Sequence, residues 1–147
     1  VVNRGEIHLL IAGNGTQHEA LTSLIKELKL EKKVLLIGRK SPEEIVAYTQ
    51  NAVVLAIPSL KEALGIVALE AIAAKRPVLA TKEGGLPEIL DGRFGVLVEP
   101  SVEGLKCGLE TVLANVDNFD FSSANDYLRQ FTIDKMVDNY MALLNNN

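Results

Sequence analysis

Short apolar runs rich in β-branched residues alternate with segments of helical periodicity along most of this chain. Five of these runs are predicted to be strands, at residues 8–12, 34–37, 53–57, 77–81 and 96–98. Strands that alternate with helices in this way are typical of a parallel sheet covered by helices. The predicted fold class is therefore α/β: a doubly wound, Rossmann-like, mostly parallel sheet with helices on its faces.

The segments between the strands carry the signals of helices. One face of a helix over residues 17–29 would hold four apolar side chains, Leu21, Leu24, Ile25 and Leu28. Residues 41–44 read Ser-Pro-Glu-Glu, with serine, proline and glutamate at the N-cap, first and third positions of a helix. A length of 147 residues suits a single domain, in which residues 116–147 add C-terminal helices.

The composition excludes several classes of function. Fifteen basic and nineteen acidic side chains give a net charge of −4, which does not suit binding to nucleic acid. One cysteine and two histidines provide neither an internal disulfide nor a zinc site, and this usage suits a reducing cytosol. The longest apolar run, residues 63–69, is far shorter than the roughly 20 residues of a membrane helix. We therefore expect a cytoplasmic protein without a metal site.

The junction after the third predicted strand has the most unusual sequence. In a doubly wound sheet, ligands bind beyond the carboxyl ends of the strands. The helix predicted over residues 65–74 is apolar on every side except at Glu70, so we expect neighbouring elements to bury it all round. A buried carboxylate needs a partner, and the residues one turn away offer none. A ligand, a backbone amide and a gap open to solvent are the alternatives for Glu70.

A second carboxylate, Glu62, precedes the same helix. Between Glu62 and Glu70 lie the unpaired amides of a helix N-terminus, which bind a phosphate or diphosphate well. Carboxylates are good acceptors for the hydroxyl groups of sugars. A phosphate flanked by a sugar on each side describes a sugar nucleotide.

Residues 58–71, PSLKEALGIVALEA, resemble the paired-glutamate motif of the group 1 family of retaining glycosyltransferases, which have the two-lobed GT-B architecture. Other motifs of that family follow in its order, at residues 10–15, 37–39, 77–81, 84–88 and 95–100. The resemblance covers about residues 6–115. It implies the C-terminal, donor-binding lobe of an enzyme that transfers a hexosyl group to a saccharide or lipid acceptor.

The resemblance also implies a role for each matching residue. Glu62 would be catalytic: it would contact hydroxyls of the donor sugar and stabilise oxocarbenium character. Glu70 would accept hydrogen bonds from the ribose, and Gly38 and Arg39 would lie beside the nucleobase. The diphosphate would bind to four backbone amides, those of Leu64, Gly65, Ile66 and Val67. The donor is a substrate, so no cofactor is expected, and the family's chemistry implies no divalent metal.

This chain departs from the family pattern in two places. Ala63 stands where the family usually has glycine, and its methyl group lies where the donor sugar should pass. The family's first strand, with its Gly-Arg turn and lysine, does not occur within these residues. We therefore expect a sheet that closes up or pairs with a second copy of the chain, or further residues upstream in the natural protein.

The missing acceptor lobe is an expected partner, and without it we expect no turnover from these residues alone. Peripheral association of the full-length protein with a membrane is left open. Two other functions also stay open: a non-catalytic doubly wound module of flavodoxin-like or receiver-like type, and a fragment of a sugar-nucleotide epimerase. Residues 13–15, Gly-Asn-Gly, are interpreted as a tight turn because residue 18 is His where a dinucleotide fingerprint has glycine.

Overall fold

The computed structural model describes residues 7–145, and there the strands and helices alternate as predicted. The chain divides between residues 45 and 46 into two compact units. The single domain expected from the chain length stays a prediction.

The first unit contains a pair of parallel strands and a helix. Strand β1 (Leu9–Ala12) pairs with β2 (Val34–Gly38), and helix α1 (His18–Glu27) connects them. The turn between β1 and α1 is tight, since the His18 amide donates to the Gly15 carbonyl at 3.2 Å. This arrangement agrees with the interpretation of residues 13–15 as a turn.

Helix α2 (Pro42–Asn51) begins with the capping box that the sequence predicts. The Glu44 amide donates to the Ser41 hydroxyl at 3.3 Å, and the Ser41 amide donates to the Glu44 carboxylate at 2.9 Å. The Ser41 amide and, to a smaller extent, the Lys40 ammonium hold the pKa of Glu44 below its ordinary value. Both contacts are local in sequence, which is why the pattern of residues 41–44 was sufficient to predict them.

The second unit is built on three parallel strands. Their order is β3 (Leu55–Ile57), β4 (Val78–Thr81) and β5 (Gly95–Val98), with β4 in the centre. Five helices belong to this unit: α3 (Ile66–Ala73), α4 (Leu86–Ile89), α5 (Val102–Ala114), α6 (Ala124–Leu128) and α7 (Ile133–Asn145). The helix predicted over residues 122–130 is replaced by α6 and a following 3₁₀ turn.

The core of the second unit lies between its sheet and the helices α3, α4 and α6. It consists of Ile57, Ala68, Ala71, Ile72, Val78, Ala80, Leu86, Ile89, Leu90, Phe94 and Ala124. Tyr127 fastens α6 to this core, because its ring packs against Phe94 and its hydroxyl donates to the Ile89 carbonyl at 2.6 Å. The core thus fixes the ends of β3 and β4, where the candidate site lies.

The strand ladders of residues 7–145 form two parallel sheets, β1–β2 and β3-β4-β5. The expectation that one sheet closes up stays a prediction. Pairing with a second copy and residues upstream stay predictions. Of the helices between residues 7 and 145, none combines the length and hydropathy that a membrane crossing requires.

Candidate functional site

Two connections meet at the carboxyl ends of the neighbouring strands β3 and β4. Residues 58–65 lead from β3 into α3 and are called the β3–α3 loop, and residues 82–85 form the β4–α4 turn. The Thr81 hydroxyl donates to the Ser59 carbonyl at 2.6 Å, and the Gly85 amide donates to the Ala63 carbonyl at 3.1 Å. The end of β4 and the β4–α4 turn therefore each hold the loop at one point.

Glycines allow these two connections to pack closely. Gly84 has a φ of +53°, and a Cβ there would overlap the backbone carbonyl of Glu62. Gly65 has a φ of +79°, and a Cβ there would lie 2.5 Å from Cδ2 of Leu86. At both positions a side chain would be strained in its backbone conformation and would also have no space.

Glu62 projects from the β3–α3 loop with both carboxylate oxygens held. Oε2 accepts a hydrogen bond from the Ser59 hydroxyl at 3.1 Å, and Oε1 accepts one from the Ala63 amide at 3.1 Å. The residue is half-buried, and no Lys or Arg among residues 7–145 forms an ion pair with it. Each oxygen keeps a lone pair with which it can accept a hydrogen bond from a ligand.

The N-terminus of α3 presents amides without acceptors. Gly65 is the N-cap in a left-handed conformation and provides no side chain, and the first turn of α3 contains no acidic residue. The amides of Leu64, Gly65, Ile66 and Val67 donate to no acceptor within residues 7–145. Such amides, together with the positive end of the helix dipole, form an anion-binding site.

Glu70 lies on an exposed face of α3. Its carboxylate makes no hydrogen bond within the described part of the chain, and its neighbours on that face, Ile66 and Val67, are 58% and 44% exposed. Our expectation that neighbours bury α3 all round is wrong, because the helix packs only one face, through Ala68 and Ile72, against the rest of the unit. Of the alternatives for Glu70, a backbone amide is not observed within residues 7–145, and the exposed carboxylate is open to solvent or to a ligand.

The two residues predicted to lie beside a nucleobase belong to the first unit. Gly38 ends β2 with a φ of +68°, and its carbonyl accepts a hydrogen bond from the Gly13 amide at 2.8 Å. Arg39 follows and is exposed. The structure therefore brings Glu62, the α3 amides and Glu70 together on one loop and helix, whereas Gly38 and Arg39 are placed with β2 alone.

Sequence reasoning missed the contributions of Ser59 and Thr81. The Ser59 hydroxyl donates to the Glu62 carboxylate. Thr81 is a fully buried hydroxyl at the end of the otherwise apolar strand β4. A buried polar residue next to apolar strand residues was the available signal, because such a group needs a hydrogen-bond partner.

Comparison with known proteins places the same segments in a family. The model of the family described as glycosyl transferases group 1 matches residues 2–125. A D-inositol 3-phosphate glycosyltransferase of Corynebacterium jeikeium is 42% identical over 86 residues, which are 58% of this chain and 20% of that protein. An uncharacterized glycosyltransferase of Methanocaldococcus jannaschii is 34% identical over 117 residues, 78% of this chain and 30% of that protein.

Solved structures have the same fold. Sucrose-phosphate synthase from Thermosynechococcus elongatus has a TM-score of 0.77 at 25% identity, over 95% of this chain and 39% of that one. HepE of Anabaena, in complex with UDP-glucose, has a TM-score of 0.77 at 22% identity, over 98% of this chain and 42% of that one. This chain therefore spans less than half the length of each of these proteins, with the fold of part of a GT-B glycosyltransferase.

Proposed function

We propose, since this chain belongs to the group 1 glycosyltransferase family, that its second unit binds a nucleotide-diphosphate sugar as the glycosyl donor. The observation that carries this proposal is the set of unpaired amides of α3 between Glu62 and Glu70. A family of transferases also argues against the two other functions considered, a non-catalytic module and an epimerase.

The diphosphate binds at the N-terminus of α3 in this proposal. The amides of Leu64, Gly65, Ile66 and Val67 donate to its oxygens, and the helix dipole stabilises its charge. The first turn of α3 has no acidic side chain that would compete with the diphosphate for these donors. No step of this binding needs a divalent metal or a cofactor.

The two carboxylates bind the sugars on either side of the diphosphate. Glu62 accepts hydrogen bonds from the hydroxyls of the donor sugar and stabilises the positive charge that develops at its anomeric carbon. Glu70 lies one helical turn beyond Ile66 and accepts hydrogen bonds from the ribose. A role of Gly38 and Arg39 beside the nucleobase stays a prediction of the family resemblance, because these two residues belong to the first unit. The reaction retains the configuration of the anomeric carbon and transfers a hexosyl group to a saccharide or lipid acceptor.

The comparisons support a uridine nucleotide as the first donor to test, because HepE of Anabaena was solved with UDP and with UDP-glucose. The acceptor is bound by a second lobe outside this chain. We therefore expect these residues alone to bind the donor without transferring its sugar.

Titration of the chain with UDP, GDP, ADP and UDP-glucose, followed by NMR, tests the proposal. Binding should shift the amide resonances of Leu64, Gly65, Ile66 and Val67 first. The amide of Gly92, which lies on an exposed turn with open space around its Cα, serves as an internal control. Shifts that fail to include the α3 amides, or the absence of binding by every nucleotide, would contradict the proposed function.

A further inference from the structure

Two hydrogen bonds, one from the Thr81 hydroxyl and one from the Ser59 hydroxyl, connect the buried end of β4 to the carboxylate of Glu62. Thr81 is 0% exposed and follows three apolar residues of β4. Its hydroxyl donates to the backbone carbonyl of Ser59 at 2.6 Å, and the Ser59 hydroxyl donates to Oε2 of Glu62 at 3.1 Å. The two contacts join Thr81 of β4 to Ser59 and Glu62 of the β3–α3 loop.

The Ser59 hydroxyl makes no capping contact that would explain it as a structural group. The N-cap of α3 is Gly65, which receives no hydrogen bond from a side chain. Within residues 7–145 the Ser59 hydroxyl contacts only Glu62. An alanine at this position would therefore remove a contact with the carboxylate and leave the backbone contacts of the loop in place.

The Thr81 hydroxyl, in contrast, acts on the backbone that carries Ser59. Valine has nearly the same shape as threonine. The hydroxyl is therefore the only part of the Thr81 side chain that valine would not supply. A buried hydroxyl must find an acceptor, and here the nearer acceptor is the Ser59 carbonyl at 2.6 Å, whereas the Ile57 carbonyl lies at 3.4 Å. Thr81 thereby fixes the position of the Ser59 backbone, from which the Ser59 side chain extends.

We propose that Ser59 and Thr81 are positioning residues that hold the Glu62 carboxylate in the orientation that receives the donor sugar. This inference rests on the donor-binding role proposed for Glu62. The Ser59 hydroxyl and the Ala63 amide each occupy one acceptor site on the carboxylate, which leaves its other lone pairs for sugar hydroxyls. The Glu62 side chain is therefore ordered before the donor binds, so binding does not have to restrict its rotation.

The first test measures the binding of two probes, UDP-glucose and UDP, by calorimetry. Ser59→Ala should weaken UDP-glucose about tenfold, because a hydrogen bond to a charged group is lost, and should leave UDP within about twofold. Ser59→Thr keeps the hydroxyl and should restore most of the affinity for UDP-glucose. A purely structural role would change the binding of both probes equally.

Thr81→Val should weaken the binding of both probes, because the loop carries the α3 amides as well as Glu62. The binding of UDP-glucose should be weakened more. Thr81→Ser should bind both probes like the wild type. Two matched controls should leave both affinities unchanged: Ser101→Ala, which removes the cap of α5, and Thr49→Val, at another buried threonine.

A second measurement needs no ligand. The carboxyl-carbon resonance of Glu62 and the amide resonance of Ala63 should shift in Ser59→Ala and not in Ser101→Ala. If neither resonance shifts in Ser59→Ala, the inference is overturned. This test does not depend on whether Thr81→Val folds.

Two results distinguish this inference from the proposed function. If Ser59→Ala binds UDP-glucose like the wild type, the positioning role is overturned and the donor site stands. If the wild type binds neither probe while Glu62 still responds to Ser59→Ala, the donor role is overturned together with the proposed function.

Discussion

The backbone carbonyl of Glu62 occupies the space that a Cβ on Gly84 would need. The β4–α4 turn therefore packs against the β3–α3 loop so closely that no side chain fits at Gly84. Gly84 also has a φ of +53°, which favours glycine.

Gly84→Ala should therefore lower the free energy of unfolding by about 1–3 kcal/mol and weaken donor binding, since the methyl group must push the loop away. Urea unfolding and calorimetry measure the two effects. Gly92→Ala is the matched control, because its Cβ meets open space, and it should change stability by no more than about 0.5 kcal/mol. Equal stability of the two variants would show that the loop can move without cost.

Glu70→Ala should weaken the binding of nucleoside diphosphates about tenfold, because the ribose hydroxyls lose a charged acceptor. The α3 core should be unaffected, since Glu70 lies on the exposed face of the helix. Calorimetry with UDP measures the change, and Glu110→Ala, at an exposed position of α5, is the control. Unchanged affinity would show that the ribose assignment is wrong.

Glu62→Gln, placed in the full-length transferase, should lower turnover about 100-fold while UDP affinity changes little. The amide keeps the shape of the side chain but loses the charge that stabilises the oxocarbenium-like transition state. Steady-state kinetics and UDP binding should be compared in the same preparation. An equal loss of turnover and of UDP affinity would indicate that Glu62 acts in nucleotide binding.

Asp91 should make stability depend on pH. Its hydrogen bonds with Arg93 hold the pKa of Asp91 below its ordinary value of 3.8 in the folded chain. A carboxyl with a lowered folded pKa contributes stability that is fully present above its unfolded pKa and is lost as the pH falls through its folded pKa.

Asp91→Asn should therefore be less stable than the wild type near pH 6, and the difference should shrink below about pH 4. Urea unfolding of both proteins at several pH values measures it. If the difference stays constant across this range, the Asp91–Arg93 ion pair contributes nothing to the free energy of unfolding, which is common for ion pairs on a protein surface.

Local patterns predicted the elements of this chain better than the contacts between them. The capping box of Ser41 and Glu44 follows from neighbours in sequence. Burial of α3 depends on which elements surround it, and the apolar sequence alone could not show that Ile66 and Val67 stay exposed.

In the candidate site too, the sequence predicted what lies within one segment and missed the contact between distant residues. Glu62, Glu70 and the α3 amides share one segment, so their spacing placed them together. The contact between Thr81 and Ser59 joins residues 22 positions apart, and the register of β3 and β4 determines it. No local pattern encodes that register.

The α3 amides hold their orientation before a ligand arrives, because backbone contacts with the adjoining turn already fix the segment that carries them. Capture of a diphosphate should then be a single kinetic step. In stopped-flow experiments the observed rate should increase linearly with ligand concentration, and no slower ordering phase should follow it.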